Sequence, residues 1–208
     1  MKNPLYLVLI IVVIVVAGYF FWPKKTSAPK QSDNTQPMSN NQVNNNEEKK
    51  VRNLKFPGVL DPSEIANKKA VIKTAKGTIE FELYADKAPK TVSNFVYLAN
   101  QKYFDGLTFH RVVADFVIQG GDPTGIGSGG PGYQFPDEPV VGDYKEGTVA
   151  MANAGPDTNG SQFFVCLDDL PSLPKSYNLF GQVTSGMEVV QKIAVGDKMD
   201  SITIENIK

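Results

Sequence analysis

Hydrophobic positions along this chain fall into three regimes. Leu5 to Trp22 is an 18-residue apolar run broken only by Gly18. As a helix it spans about 27 Å, close to the hydrocarbon thickness of a bilayer. Tyr19 to Trp22 form an aromatic edge followed by Lys24 and Lys25, as at a membrane interface. The run exceeds a usual signal core, and no small-residue cleavage site follows, so an uncleaved anchor over residues 1–23 is expected. From Thr26 to Lys50 the chain is Asn-, Gln-, Ser-, Lys- and Pro-rich and buries almost nothing. That composition predicts a disordered tether, assigned to 24–66 and reaching on the order of 35 Å, although residues 51–69 could instead pack on the domain. A count of flanking lysines slightly favours a cytoplasmic domain. A short N-terminal tail before a lone apolar segment usually stays inside, however, so a single-pass cell-membrane protein with an extracytoplasmic domain is expected.

From residue 67 onward the pattern is one of short strands. Ala70–Thr74 and Gly77–Tyr84 read as a hairpin around Ala75-Lys76-Gly77. Within the second, Ile79, Phe81 and Leu83 alternate with Thr78, Glu80 and Glu82. Pro89 to Asn100 predicts a helix with Val92, Phe95, Val96 and Ala99 on one face and proline in its first turn. Strands are expected at Thr108–Val112, Phe116–Gln119, Thr148–Ala152, Gln162–Leu167, Asn178–Val183 and Ile202–Ile207, with a second helix over Met187–Ala194. Many short strands with two helices predict a mainly β domain over 67–208, a closed barrel or a sandwich.

Charge and composition narrow the chemistry. The first 50 residues hold six lysines against three acidic residues; the remainder holds 15 basic against 19 acidic ones. A mildly acidic domain without a basic run is a poor nucleic-acid binder. Cys166 is the single cysteine and His110 the single histidine. No intrachain disulfide can form, the usual zinc ligand sets are missing, and no activated nucleophile adjoins His110. No cofactor or metal is expected.

Two dense stretches carry the candidate chemistry. Phe109-His110-Arg111 leads through Phe116 and Val117 to Gln119-Gly120-Gly121-Asp122; Met151-Ala152-Asn153-Ala154 leads to Asn159-Gly160-Ser161-Gln162-Phe163-Phe164. Arg111 ends a strand-like stretch with five N–H donors, and reads either as a surface residue or as a cleft group. Phe116, Val117 and Phe164 fit a core as well as a pocket, and Asn153 fits a turn cap. Gln119 is an amide between apolar strand and glycines and needs a partner if buried. The glycine-rich run 120–132 lacks the Gly-Lys-Ser/Thr ending of a phosphate loop, so loop geometry explains it better.

Together, in this order, the two stretches resemble the signatures of the cyclophilins, the prolyl cis–trans isomerases, over Ala70 to Lys208. The resemblance implies an eight-stranded antiparallel barrel with two capping helices, binding proline-containing polypeptides as a monomer. It implies Arg111, Phe116, Gln119 and Asn153 as catalytic residues. Val117, Gly127, Ala152, Ala154, Gln162, Phe164, Leu173 and Tyr177 would bind substrate. Val117 stands where methionine is common and Tyr177 where histidine is frequent. Ser172 replaces a usual tryptophan that contacts cyclosporin, so cyclosporin binding is weakened. The competing readings are a non-catalytic peptide-binding or chaperone module on the same fold, a structural membrane-tethered protein, and nucleotide binding by the glycine loop.

Overall fold

The structure, a computed structural model, describes residues 54–207; the expected anchor and most of the expected tether lie outside the described residues. Eight antiparallel strands form one sheet. They are β1 (Lys68–Thr74), β2 (Gly77–Leu83), β3 (Arg111–Val113), β4 (Val117–Gly120), β5 (Thr148–Met151), β6 (Phe163–Cys166), β7 (Leu179–Ser185) and β8 (Ser201–Asn206). Their order is β3-β4-β6-β5-β7-β2-β1-β8. The open ends are joined by an antiparallel seam between 106–109 and 196–199. Phe109 N–H donates to the Asp197 carbonyl at 2.8 Å, Met199 N–H to Leu107 at 2.8 Å and Gly106 N–H to Met199 at 2.7 Å. Thr108 and Lys198 pair directly. The expected barrel is therefore closed, but the seam takes the backbone of Thr108 and Phe109, so β3 starts at Arg111 rather than at Thr108.

Alternation along each strand sorts residues into two apolar clusters. Ile79, Phe81, Ile118, Val149, Met151, Phe163, Val165 and Phe180 fill the interior. Their neighbours Val117, Ala150, Phe164, Cys166 and Leu179 belong to a second cluster on the other face. With both faces covered, β5 and β6 are buried at every position, as expected where a strand is covered on both sides.

Helix α2 runs from Pro89 to Asn100, the span its periodicity predicts. Val92, Phe95, Val96 and Ala99 are buried, and Phe95 meets Phe81, Phe104, Phe163 and Phe180 in ring contacts of 5.0–5.5 Å. Its N-cap residue, Ala88, offers no side chain to the first turn. Glu138 does so from a distant loop, accepting from Lys90 N–H (2.9 Å), Thr91 N–H (2.8 Å) and Thr91 Oγ1 (2.7 Å). A carboxylate suits the positive end of a helix. The second expected helix is shorter than its pattern, α3 (Met187–Val190).

A third helix, α1 (Pro62–Ile65), lies inside the stretch expected to be tether. Residues 54–66 pack on the barrel: Ile65 joins the core, and Leu54, Phe56 and Leu60 lie against it. Asp61 caps α1 by accepting from Ser63 N–H at 2.9 Å, and Pro62 opens it. Four apolar side chains at irregular spacing are enough to dock this segment, although they give no periodic signal.

Candidate functional site

The outer face of β3, β4 and β6 presents a row of side chains fixed by strand register. Arg111 lies opposite Gln119 across β3–β4, and Gln119 lies opposite Phe164 across β4–β6. Facing pairs in such a ladder share one side of the sheet. Gly121 then takes φ +85° with the Ser161 backbone where a side chain would begin. Only glycine admits that approach, and Ser161 Oγ donates to the Gly121 carbonyl at 2.7 Å. The close contact brings Gln162 beside Gln119.

The polar groups form a directed chain. Arg111 Nη1 donates to Gln119 Oε1 at 3.2 Å, and Gln119 Nε2 donates to Gln162 Oε1 at 2.9 Å. Gln162 Nε2 donates to the carbonyls of Gly127 (3.0 Å) and Gly129 (2.9 Å). Asp122 holds the same loop from its N–H side, accepting from Thr124 N–H and Oγ1 at 2.7 Å and from Gly127 N–H at 2.5 Å. Burial works to raise the Asp122 pKa. The hydrogen bonds from Thr124, Gly129 and Gly127 outweigh it and keep the carboxyl below its ordinary range. Arg111 is exposed. Its guanidinium carbon sits 5.7 Å from the Phe116 ring centre. The bond to Gln119 is its single side-chain hydrogen bond among the described residues, so donors remain for a ligand.

Beside Arg111 lies the apolar half. Val117 and Phe164 are buried, with Phe116, Leu173, Tyr177 and Ala152 partly buried around them. Phe164 meets Tyr177 edge-on, ring centres 5.6 Å apart. Tyr144 clasps Tyr177 by donating to its carbonyl (2.7 Å) and accepting its N–H (3.1 Å). Sequence reasoning missed Tyr144, an isolated aromatic in a long loop. Beside the glutamines opens the polar half, a cavity of about 720 Å³ lined by Gly127, Tyr133, Ala152, Asn153, Ala154 and Gln162 among others. Ala152 belongs to both halves, so they form one continuous site.

Of the site residues expected from sequence, Phe116, Val117, Phe164, Leu173 and Tyr177 lie in the apolar half, and Gln119, Gly127, Asn153, Ala154 and Gln162 line the cavity. Ala152 belongs to both, and Arg111 stands between them, bonded to Gln119. Asn153 differs in its manner of engagement. Its Nδ2 donates to the Ser176 carbonyl at 2.7 Å and its Oδ1 accepts from Gly155 N–H at 3.3 Å. The side chain ties its own turn to the loop at Ser176. Two other titratable groups adjoin the site without serving as nucleophiles. Cys166 is fully buried, and burial, with Asp169 nearby, pushes its thiol up to about 12. His110 is half-buried, and among the described residues neither ring nitrogen has a partner within hydrogen-bond geometry. Burial lowers its pKa, the Asp122 charge raises it, Arg111 lowers it and the Gln162 amide raises it, with a net fall.

Comparison with known proteins gives the family and the fold. Residues 69–208 match the family model described as cyclophilin type peptidyl-prolyl cis-trans isomerase/CLD. A Helicobacter pylori peptidyl-prolyl cis-trans isomerase is 48% identical over 141 residues, 66% of this chain and 86% of that protein. The peptidyl-prolyl cis-trans isomerase B of Bacillus subtilis is 48% identical over 129 residues, covering 61% and 90% respectively. A crystal structure of a Cryptosporidium parvum cyclophilin type isomerase in the presence of the dipeptide Ala-Pro superposes with a TM-score of 0.62. It is 34% identical and covers 66% of this chain and 99% of that one.

Proposed function

Because this chain belongs to the cyclophilin-type peptidyl-prolyl cis–trans isomerases, we propose that Arg111 lowers the rotational barrier of X–Pro bonds whose ring sits against Phe116, Val117, Phe164 and Leu173. Rotation about such a bond meets roughly 18–20 kcal/mol and takes tens of seconds unaided. No bond is broken, so no nucleophile or general base is required. Twisting removes amide resonance and leaves a lone pair on the proline nitrogen. A guanidinium donor held beside the pocket bonds that lone pair more strongly in the twisted state than in the planar one. This difference is what accelerates the reaction.

Millisecond turnover requires removing about 5–6 kcal/mol from the barrier. A charge-assisted hydrogen bond, a dry pocket and restraint of the flanking peptide together supply that order of energy. The restraint falls to Gln119, to Gln162 and to the backbone of Ala152–Ala154, since the Asn153 amide is engaged elsewhere. Tyr177 closes the apolar side. Peptide residues flanking the proline occupy the adjoining cavity.

The observation that carries this reading is the Arg111–Gln119–Gln162 chain, which aims one end of a fixed polar network at the edge of an apolar pocket. The test is isomerisation of an Ala-Pro peptide by the wild-type chain and by Arg111→Ala. Loss of turnover with peptide affinity kept within a few-fold is expected; undiminished turnover would falsify the mechanism.

We further propose that Leu5–Trp22 anchors the chain in the cell membrane with the barrel on the extracytoplasmic side. The length and aromatic edge of that run support it. Among the described residues no helix is long and apolar enough to cross a membrane. Protease applied to intact cells should reach the barrel, and release of the full-length chain by carbonate washing would refute the anchor.

A further inference from the structure

The segment ahead of β1 is not needed to complete the barrel, yet it is built onto the wall of the cavity. Leu54 N–H donates to the Pro131 carbonyl at 3.0 Å. The Phe56 ring stacks on Phe135 with centres 5.0 Å apart and planes within 4°, and leans on Tyr133 at 5.9 Å. Pro131 and Tyr133 both line the cavity.

Pro131 is buried and Tyr133 packs against the core, but the backbone of the wall has little else to hold it. The Gly129 carbonyl is fixed by Gln162, and Phe135 N–H by the Asn159 carbonyl. Between them, among the described residues, residues 130–134 make one backbone hydrogen bond, the one from Leu54. Two of these five residues are glycines without side-chain contacts of their own. Tyr133 carries the brace across the cleft: its Oη donates to Asn94 Oδ1 at 2.6 Å, and Asn94 Nδ2 donates to the Gly160 carbonyl at 2.8 Å. Gly160 lies on the cavity lining as well. One residue before Asn94 on α2, Ser93 Oγ accepts from Leu60 N–H at 3.0 Å and anchors the far end of the strap.

We propose that the 54–60 strap is part of the peptide-binding apparatus, with Phe56 a positioning residue that sets the 130–134 wall. It would thereby fix the affinity for peptide residues reaching beyond the proline into the cavity. This inference rests on reading the cavity as the peptide cleft. The strap acts by pre-organisation: a wall already in its bound geometry costs less to order when peptide arrives. It touches neither Arg111 nor the proline pocket, so the rotation step is left alone.

The experiment compares the full-length chain with Phe56→Ala and Phe56→Tyr on two ligands: a blocked Ala-Pro dipeptide and a ten-residue peptide built around the same pair. Kd is measured by titration and kcat and KM by NMR exchange. Loss of a stacked aromatic contact should raise Kd and KM for the long peptide roughly five- to tenfold. The value of kcat should stay within twofold, dipeptide Kd should not move, and Phe56→Tyr should restore wild-type affinity. A wild-type Kd for the long peptide in Phe56→Ala overturns the proposal, as does an equal rise for both ligands. Should Phe56→Ala fail to fold, Phe56→Leu keeps the apolar contact without the stack and is read in the same way. A wild-type chain that binds the long peptide without isomerising it sinks the catalytic reading while Kd still decides this one. Binding of neither peptide sinks both.

Discussion

Arg111 and Gln119 face each other across the β3–β4 ladder, and the arginine Nη1 donates to the glutamine Oε1 at 3.2 Å. Since Gln119 Nε2 is committed to Gln162 at 2.9 Å, its amide cannot turn over without breaking two bonds. The arginine is therefore oriented by a neighbour that is itself oriented. Replacing Gln119 with leucine should leave Arg111 in place but loosely held. We expect kcat to fall roughly tenfold or more with a smaller change in KM. Steady-state kinetics on one Ala-Pro peptide checks this, and a wild-type kcat would remove Gln119 from the mechanism.

The two aromatic pocket residues should separate folding from binding. Phe164 is 5% exposed and lies within a strand, so Phe164→Ala should cost about 3–5 kcal/mol of stability as well as affinity. Phe116 sits at the turn between β3 and β4 and is only partly buried. Its alanine variant should weaken peptide binding severalfold while shifting the urea midpoint little. Equal loss of stability in the two variants would contradict this assignment.

His110 gives the domain a pH dependence whose sign is fixed by burial. Its folded-state pKa lies below the ordinary 6.5, because the half-buried ring resists the charge more than Asp122 supports it. Between the folded and unfolded values the unfolded chain binds more protons, so stability rises with pH. The contribution should be complete above about 6.5 and be lost as pH falls below that value. Urea titrations from pH 5 to 8 should show this slope in the wild type and a flatter profile in His110→Gln.

Glu138 is a structural carboxylate remote in sequence from the helix it caps. Glu138→Ala leaves three donors at the start of α2 unpaired in a buried place, at an expected cost of about 2–4 kcal/mol. Activity per folded molecule should be retained, since the carboxylate lines neither half of the site. A stability change under 0.5 kcal/mol, at the level of a surface substitution, would refute the capping role.

Much of this was legible in the chain because its signals are local. A proline, a four-position apolar face and twelve residues define α2, and the β1–β2 hairpin follows from strict alternation around a two-residue turn. The candidate site residues were singled out by the resemblance, since pattern alone left Arg111 a surface group as readily as a cleft group. Strand pairing then sets the distances among Arg111, Gln119 and the neighbouring Gln162. What escaped was non-periodic. Helix α1 has one turn, and its signal, Asp61-Pro62 with Glu64 three places after the cap, was overlooked in a polar context. Glu138 and Tyr144 act through long-range bonds from a loop, which no spacing rule reveals. The side-chain engagement of Asn153 depends on Ser176, 23 residues away.

The closing seam also bears on when this protein becomes itself during synthesis. Residues 196–199 cover the 106–109 segment, and β8 covers β1, so the last dozen residues seal both margins of the sheet. Until they emerge, a nascent chain carries two unpaired strand edges about forty residues apart in sequence, each able to template pairing with another copy. Loss of the C-terminus by premature termination or proteolytic trimming should therefore convert a shut barrel into an aggregating ribbon, not into a slightly weaker enzyme.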